Sequence, residues 1–257
     1  MSTELTAAQR VAIARHPQRP NITDYIGALF TDFFEQKGDR LCREDPAILG
    51  GVALYHDRPV TVIGTRKGKT AEESIRCNFG MPGPEGYRKA LRLMKQAEKF
   101  RRPVVCLVDT SGAYCGLGAE ERGQGQAIAE NLTELSALTV PVVSILIGEG
   151  GSGGALALAL ADRIWILENA IYSVISPEGC ASILWKDAKR VKDAAECLKL
   201  TAQDMQELGV VEQVISEEDI SAAYAQVRSM LSEELPGLMS LPVKELLGAR
   251  YERFRRF

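Results

Sequence analysis

The chain has 257 residues, of which 46% are hydrophobic and 25% are charged, and its formal net charge is −3. These fractions lie near the averages for globular proteins and exclude disordered and fibrous classes, and without a basic excess we do not expect a dedicated nucleic-acid-binding protein. The six cysteines include no CxxC pair, so their spacing predicts neither a metal site nor a disulfide framework.

No segment of the sequence has the pattern of a membrane or export signal. The N-terminal stretch MSTELTAAQRVAIARHP lacks the apolar core of a signal peptide. The longest apolar run, residues 155–161, is far shorter than the roughly 20 residues of a membrane-spanning helix. We therefore expect a soluble, cytoplasmic protein with no membrane partner.

Residues 1–40 are predicted to form an N-terminal helical segment that is broken at Pro17 and Pro20. Asn21 or Thr23 is placed to cap the helix that follows. This helix is predicted to carry its apolar residues at helical spacing, namely Ile26, Leu29, Phe30, Phe33 and Phe34.

A hairpin is predicted next, because two β-prone runs at 48–54 and 59–64 flank the turn residues His56, Asp57 and Arg58. From Pro84 onward helices and strands alternate. A helix over 85–101 follows Pro84, which suits a first helical turn. The later predicted strands cover 104–108 (ending at Asp109), 141–147, 163–167, 170–175 and 210–215, and the helices 120–138, 153–161, 178–197, 202–208 and 218–234. This alternation predicts an α/β architecture with parallel strand pairing.

The stretch from Gly148 to Gly154 contains five glycines within seven residues, between a predicted strand and a predicted helix. Because glycine has no Cβ, a ligand can approach the backbone N–H groups closely. The start of a helix adds unpaired donors and a partial positive charge. The sequence therefore predicts an anion or oxyanion site made of backbone.

Two other interpretations of the same glycines stay open at this point. Gly148, Gly150 and Gly153 satisfy GxGxxG, and Glu168 stands 20 residues after Gly148, as in dinucleotide-binding proteins. Alternatively, the glycines serve only close packing between a helix and a strand. A P-loop is not predicted at Gly64, because the spacing is one residue short, and we interpret Lys67 and Lys69 as a solvated basic loop.

Four long motifs carry a resemblance to a known family. They are NFGMPGPEGYRKALRLMKQAEKF (78–100), DTSGAYCGLGAEERGQG (109–125), GEGGSGGALALALAD (148–162) and YSVISPEGCASILWK (172–186). Together they resemble the carboxyltransferase alpha subunits of bacterial, multi-subunit acetyl-CoA carboxylases, over roughly residues 20–257.

The resemblance implies an α/β fold of the crotonase type (ClpP/crotonase), a spiral of β-β-α units with surrounding helices. It implies a single carboxyltransferase domain over 1–257, with a helical segment at 1–40, a crotonase-like core at 41–215 and C-terminal helices at 216–257. The implied activity is transfer of the carboxyl group from carboxybiotin on a carrier protein to acetyl-CoA. The product is malonyl-CoA, the first committed intermediate of fatty acid biosynthesis.

For the site, the resemblance implies that the N–H groups of Gly153, Gly154 and Ala155 form an oxyanion hole for the biotin ureido oxygen. Gly150 and Gly151 would shape the segment. The wall of the same pocket would be formed by Ser111, Gly112, Ala113 and Tyr114. Ser111 and Cys115 replace two prolines of the family pattern, so we expect a looser loop here.

The resemblance also implies partners. These are a beta subunit with a zinc ribbon and the acetyl-CoA pocket, assembled as an alpha2-beta2 heterotetramer, and a biotin carboxyl carrier protein. No metal is expected in this chain, and ATP belongs to the separate biotin carboxylase component.

One alternative is a stand-alone crotonase-type enoyl-CoA hydratase or isomerase, because Glu120 and Glu121 could act as paired carboxylates. The acidic pair is equally typical of a helix N-terminus. The other alternative is the GxGxxG nucleotide-binding module. His16 and His56 fall in predicted turns, which does not favour a Ser-His-Asp hydrolase.

Two basic segments are interpreted as surface. One is the helical series of Lys89, Arg92, Lys95, Lys99, Arg101 and Arg102, which is either a solvated face or a site for an acidic partner or CoA phosphates. The other is the C-terminal RYERFRRF, interpreted as a frayed helix end or an interface segment.

Overall fold

The structure is a computed structural model that describes residues 5–257. Its N-terminal segment forms α1 (Ala7–Ala14) and α2 (Ile22–Leu29). Asn21 caps α2, and its side chain accepts the Thr23 N–H, so the predicted cap is confirmed. Residues 1–4 of the predicted helical segment lie outside the described residues.

The prediction that Phe33 and Phe34 continue the second helix is wrong. The chain turns to an extended conformation at Phe30 and then forms β1 (Thr31–Glu35). This strand pairs antiparallel with β2 (Ile48–Tyr55). Phe34 is 69% exposed, because the strand directs it to solvent where a helix would have buried it.

The predicted hairpin is confirmed. β2 pairs antiparallel with β3 (Arg58–Thr65) from Ile48↔Thr65 to Tyr55↔Arg58, so Arg58 belongs to the strand. The two turn residues, His56 and Asp57, have φ values of 46° and 61°. Two positive φ values are characteristic of the type I′ turn, whose twist matches that of the flanking strands.

The predicted helix after Pro84 is confirmed as α4 (Pro84–Lys99), which follows a short α3 (Ala71–Arg76). The continuous helix predicted over 120–138 is wrong, because it is broken into α5 (Leu117–Glu121) and α6 (Gln124–Ala137). Gly123 lies at the break with a φ of 82°, a left-handed conformation that glycine adopts without steric cost.

The remaining elements follow the predicted order. They are β4 (Val104–Thr110), β5 (Val142–Gly151), α7 (Ser152–Ala159), β6 (Arg163–Leu167), β7 (Ile171–Ser173), α8 (Pro177–Trp185), α9 (Val191–Cys197), α10 (Ala202–Glu207), β8 (Gln213–Ile215), α11 (Ile220–Ser240) and α12 (Val243–Phe254). The helix predicted over 178–197 is divided into α8 and α9, because Lys186 has a left-handed φ of 54°.

These strands form a mixed sheet in the order β1-β2-β3-β4-β5-β6-β8. The first two pairings are antiparallel and those from β3 onward are parallel, as predicted. β7 lies outside this order and pairs parallel with the far end of β5, from Glu149 to Gly151. The carboxyl ends of β3, β4 and β5 therefore meet at one edge of the sheet, where ligands bind in parallel α/β layers.

Two lysine and arginine positions predicted to be surface are buried. Lys89 on α4 is fully buried, and its Nζ donates to Glu44 Oε1 (2.6 Å) and to the Ile48 carbonyl (2.8 Å). Arg250, the first residue of RYERFRRF, lies on α12 and is 1% exposed. Its guanidinium forms a bidentate pair with Asp162, at 2.9 and 2.7 Å. The interpretation of Lys89 as part of a solvated face is therefore wrong, and the helix is not frayed at Arg250, because the side chain is bonded in the interior.

Helix α1 packs against the second half of the chain. Its buried residues Ala7, Val11 and Ala14 form a cluster with Ile171 and Leu200. Arg10 donates to the Glu168 carbonyl (2.7 Å) and to Asn169 Oδ1 (3.0 Å). In the part of the chain that is described, no helix is both long and apolar enough to cross a membrane.

Candidate active site

The glycine-rich stretch continues a strand, although the sequence predicts a loop there. β5 extends to Gly151, because this end pairs with β7 on one side and Thr110↔Gly150 on the other. Ser152 then turns with a left-handed φ of 54°, and α7 begins. The predicted boundary at residue 147 is wrong because paired strand edges on both sides keep the glycines extended.

Packing accounts for four of the five glycines from Gly148 to Gly154 but not for Gly153, and it is tightest against backbone at two of them. A Cβ at Gly151 would lie 2.1 Å from the Ser111 carbonyl oxygen, and one at Gly154 would lie 2.4 Å from the Ala113 nitrogen. Both distances are too short for any side chain. At Gly153, in contrast, a Cβ would meet only Ile128 Cγ2, at 3.7 Å. Gly153 is therefore the glycine that close packing does not explain.

The amides at the start of α7 include free donors. The cap residue, Gly151, makes no side-chain capping bond. Gly153 and Gly154 are the second and third helical residues, whose N–H groups have no intrahelical acceptor. Ala155 is the fourth, and in a regular helix its N–H donates to the cap carbonyl. Of the three predicted donors, Gly153 and Gly154 are therefore the available ones.

The loop from Ser111 to Tyr114 lies against this helix start, where Gly112 and Ala113 approach Gly154. The Gly112 N–H donates to Thr110 Oγ1 (3.1 Å), and the Tyr114 N–H donates to the Pro82 carbonyl (3.0 Å). Gln124 Nε2 also donates to the Tyr114 carbonyl, at 2.8 Å. Hydrogen bonds thus hold the loop where the family pattern has two prolines. Among the described residues, the amide of Ala113 has no acceptor.

The structure does not bring the Tyr114 ring to the same cavity as Gly153. Gly153 lines a cavity of about 320 Å³ with Ser152, Leu156, Tyr172, Val174 and Met205. Tyr114 instead lines a cavity of about 190 Å³ beside Glu85 and Arg122. It is 37% exposed, so it is not part of the core.

A charged cluster at the carboxyl ends of the strands was missed by the sequence analysis. Lys67 Nζ lies 2.7 Å from Asp109 Oδ1 and 2.8 Å from Glu149 Oε2. Arg15 Nε lies 2.7 Å from the other Glu149 oxygen. The interpretation of Lys67 as solvated is therefore wrong. Lys69 is exposed as predicted and pairs with Asp24 at 2.6 Å.

The pKa values in this cluster favour the charged forms. Burial acts to lower the pKa of Lys67, but the carboxylates of Asp109 and Glu149 outweigh it and raise that pKa. Burial acts to raise the pKa of Glu149, but Lys67 and Arg15 outweigh it and lower that pKa. The sequence does contain one signal for this cluster: Asp109 and Glu149 both lie at the carboxyl ends of buried strands.

The residues of the alternative activities do not form a site. Glu120 and Glu121 are exposed on the short α5, and Arg122 donates to Glu85 (2.5 Å) rather than standing free. Gly148 and Gly150 lie within β5, and Glu168 accepts the Glu217 N–H (3.4 Å).

His16 and His56 are both exposed, as predicted. Within residues 5–257, no group of three or more His, Cys, Asp or Glu residues is placed to hold a metal ion.

The sequence was compared with protein families and curated relatives. The family profile described as acetyl co-enzyme A carboxylase carboxyltransferase-like matches residues 1–257. The acetyl-coenzyme A carboxylase carboxyl transferase subunit alpha of Clostridium acetobutylicum is 55% identical over 261 residues, covering 99% of this chain and 95% of the relative. The same subunit of Bacillus velezensis is 57% identical over 252 residues, covering 96% of this chain and 78% of the relative.

Solved structures show the same fold at low sequence identity. A transcarboxylase 12S with methylmalonyl-coenzyme A and methylmalonic acid bound has a TM-score of 0.73 and 18% identity, covering 92% of this chain and 46% of that one. A Pseudomonas malonate decarboxylase hetero-tetramer in complex with coenzyme A has a TM-score of 0.66 and 19% identity, covering 82% and 89%. The predicted crotonase-type α/β class is confirmed by these neighbours and by the mixed sheet.

Proposed function

The chain belongs to the family of acetyl-CoA carboxylase carboxyltransferase alpha subunits, and from this premise we propose that the start of α7 is its oxyanion hole. The activity of the chain is that of one subunit of a biotin-dependent carboxyltransferase. The proposal concerns which groups act: the N–H groups of Gly153 and Gly154 donate to the biotin ureido oxygen, and Ala155 has a lesser part.

The observation that carries the proposal is the free amide of Gly153 in a largely apolar cavity. Removal of carbon dioxide from carboxybiotin places negative charge on the ureido oxygen. Backbone donors fixed in a helix start stabilise such charge without reorganising. The apolar neighbours Leu156, Val174 and Met205 suit a neutral bicyclic ring. Gly150 and Gly151 hold the strand end that fixes the helix start.

The loop beside α7 completes the proposed site. The unpaired amide of Ala113 lies against Gly154, so it is a candidate further donor. Ser111 and Gly112 are the contacts that keep the loop close. Tyr114 faces another cavity, and we assign it to the mouth of the site rather than to the biotin ring.

The proposed partners supply what this chain lacks. We propose that a beta subunit with a zinc ribbon carries the acetyl-CoA pocket, and that two copies of each subunit form an alpha2-beta2 heterotetramer. Carboxybiotin arrives on the biotin carboxyl carrier protein as a substrate, and ATP is used by the biotin carboxylase component. The donor set at α7 fits an oxyanion, because it consists of N–H groups alone.

We also propose that the whole chain, residues 1–257, acts as one carboxyltransferase domain. A continuous buried cluster, which joins all parts of the chain, supports a single domain. It includes Ile22 on α2, Val105 and Ile145 in the central strands, and Leu246 on α12. Residues 5–40 and 216–257 thus pack on the 41–215 core.

The test is malonyl-CoA-dependent carboxylation of free biotin by the chain mixed with its beta subunit. Gly153→Pro removes one amide, and we expect kcat to fall by about 10²–10³, the effect of losing one oxyanion donor. Gly153→Ala is the matched control, since its Cβ would make only an ordinary van der Waals contact with Ile128 Cγ2, at 3.7 Å, and it keeps the amide. It should retain wild-type kcat.

Assembly is checked by size-exclusion chromatography of each complex. Wild-type kcat in an assembled Gly153→Pro complex would exclude this oxyanion hole. A loss confined to KM for malonyl-CoA would assign the amide to the thioester rather than to biotin. Activity of the chain without a beta subunit would contradict the shared site.

A further inference from the structure

The pairing between β4 and β5 is interrupted at the base of the proposed site. Val108 pairs with Leu146, but Thr110 pairs with Gly150, so residues 147–149 face the single residue Asp109. An interruption of this kind leaves ladder groups unpaired and redirects the strand. Asp109 compensates, because its Oδ1 accepts the Glu149 N–H at 2.8 Å.

Gly148 makes room for this arrangement. A Cβ at that position would lie 2.3 Å from Asp109 Oδ1. The Asp109 N–H donates in turn to Thr65 Oγ1 on β3, at 2.6 Å. Asp109 on β4 is therefore bonded to both neighbouring strands, to β3 through its backbone N–H and to β5 through its carboxylate.

Lys67 joins the two acidic residues from the end of β3. Its Nζ bonds Asp109 and Glu149 at 2.7 and 2.8 Å, and Arg15 holds the second Glu149 oxygen. Two cations thus face two anions. The cluster is balanced in charge, so it has no excess positive charge with which to attract an anionic ligand.

We propose that Lys67, Asp109 and Glu149 are positioning residues that set the distance between the two halves of the oxyanion hole. This inference rests on the proposed function. Asp109 stands two residues before the loop that begins at Ser111, and Glu149 stands two residues before Gly151. By bonding both residues, Lys67 therefore fixes the start of the loop from Ser111 and the strand end that leads into α7. The backbones of these two segments meet at Gly154. None of the three residues needs to touch a substrate.

Removing the cation has a consequence that depends on pH. In Lys67→Met, two buried carboxylates face each other, so one of them takes a proton and its pKa rises. At low pH a shared proton holds them together, and at high pH their repulsion separates the two segments. Activity of this variant should therefore fall as pH rises, relative to wild type. The other charged or titratable groups around the cluster are Arg15, His16, Arg19, Tyr25, Lys69, Glu178 and Glu217. All of them are the same in Lys67→Met as in the wild type.

The experiment uses the full chain with its beta subunit and follows biotin carboxylation at about pH 6 and about pH 8. Lys67→Met should lower kcat about 10²-fold at the higher pH, the effect of a displacement of about 1 Å at a site. KM for malonyl-CoA should stay within about twofold of wild type, because the proposed CoA pocket is in the other subunit. Lys69→Met, on the same loop but at the surface, is the matched control and should be unchanged.

A second substitution tests the charge balance. In Lys67→Met with Asp109→Asn, the buried repulsion is gone, and the amide can accept from Glu149 N–H and donate to its carboxylate. We expect at least a tenfold recovery of kcat over Lys67→Met at about pH 8. Hydrogen exchange of peptides spanning 110–116 and 149–155 gives a readout without turnover. It should accelerate in Lys67→Met and not in Lys69→Met.

The outcomes separate the two proposals. Unchanged kcat and unchanged exchange in Lys67→Met would overturn the positioning role, even if Gly153→Pro abolishes activity. Equal loss at both pH values, with no recovery in the double variant, would also overturn it. Accelerated exchange and lowered kcat in Lys67→Met, together with a fully active Gly153→Pro complex, would show that the three residues order the two segments, and it would overturn both the oxyanion hole at Gly153 and their role in setting its width.

Discussion

Arg250 uses all five guanidinium N–H groups in a buried setting. Two bonds go to Asp162, and three go to the carbonyls of Leu135, Leu138 and Val140, at 2.7–3.1 Å. Asp162 also accepts the Val142 N–H at 2.8 Å. One side chain of α12 thus closes the end of α6 and the start of β5. Nothing in the basic RYERFRRF segment distinguishes this arginine from Arg255 and Arg256, which are exposed.

We expect Arg250→Met to lower the free energy of unfolding by about 3–5 kcal/mol, because it leaves a buried carboxylate unpaired. Chemical denaturation of the isolated chain measures the change. Arg255→Met, on the exposed end of the same segment, should shift stability by no more than about 0.5 kcal/mol. Arg250→Met with Asp162→Asn should recover part of the loss, and equal stability of Arg250→Met and Arg255→Met would contradict this account.

The identity of Lys67's partners could not be predicted from the sequence. They lie 42 and 82 residues away along the chain, and a lysine between glycines in a polar loop has the local pattern of a solvated residue. The glycines at 153 and 154 were predictable, because their chemistry depends on the local strand-to-helix pattern. The sequence does not show that Gly154 is tightly packed against backbone whereas Gly153 is not, because the contacts come from residues that are distant along the chain.

At the scale of elements, α7 and the loop from Ser111 to Tyr114 form one packed unit. The closest approach is between Gly154 and the backbone of Gly112 and Ala113. Neither side of this contact is a flexible side chain. Any added atom must therefore displace backbone.

Gly154→Ala should consequently destabilise the chain by about 1–3 kcal/mol, the range for overpacking a tight interior. Gly153→Ala should leave stability unchanged or raise it, since alanine favours a helix by up to about 1 kcal/mol over glycine. The midpoints of thermal unfolding of the two variants, whose substitutions are at adjacent positions, measure this difference in stability. A larger loss at 153 than at 154 would mean that the two packing environments are exchanged.

Most elements were predictable, and the errors have identifiable causes. The hairpin turn, α4 and the parallel strands follow from local pattern. β5 was predicted too short, because the strand character of Gly148 to Gly151 comes from β7, a partner that enters later in the chain. The break at Gly123 was missed, since an isolated glycine is also tolerated within a helix.

For the molecule as a whole, several buried carboxylates are held in the charged form. The pKa values of Asp39, Glu85 and Glu149 are lowered, because hydrogen bonds and basic partners outweigh the opposing effect of burial. Asp39 accepts three backbone N–H groups, and Glu85 pairs with Arg122. Carboxylates of this kind stabilise the fold only while they are ionised.

The sign of the pH dependence follows. A lowered folded-state pKa gives stability that is fully present above the unfolded values, 3.8 for Asp and 4.5 for Glu, and that is lost as pH falls through the folded pKa. We expect the midpoint of thermal unfolding to be nearly constant from about pH 7 to about pH 5 and to decline below that. Glu149→Gln should reduce the decline, and a midpoint that rises on acidification would contradict the assignment.

The contacts of α1 can form only late in synthesis, because its partners lie far along the chain. This helix is synthesised well before its partners, because its buried residues pack on Ile171 and Leu200, and Arg15 bonds Glu149 and Glu178. None of these partners exists until more than half of the chain has been made. Helix α1 must therefore wait for segments that are made much later, and the charged cluster at Lys67 is complete only when α1 docks.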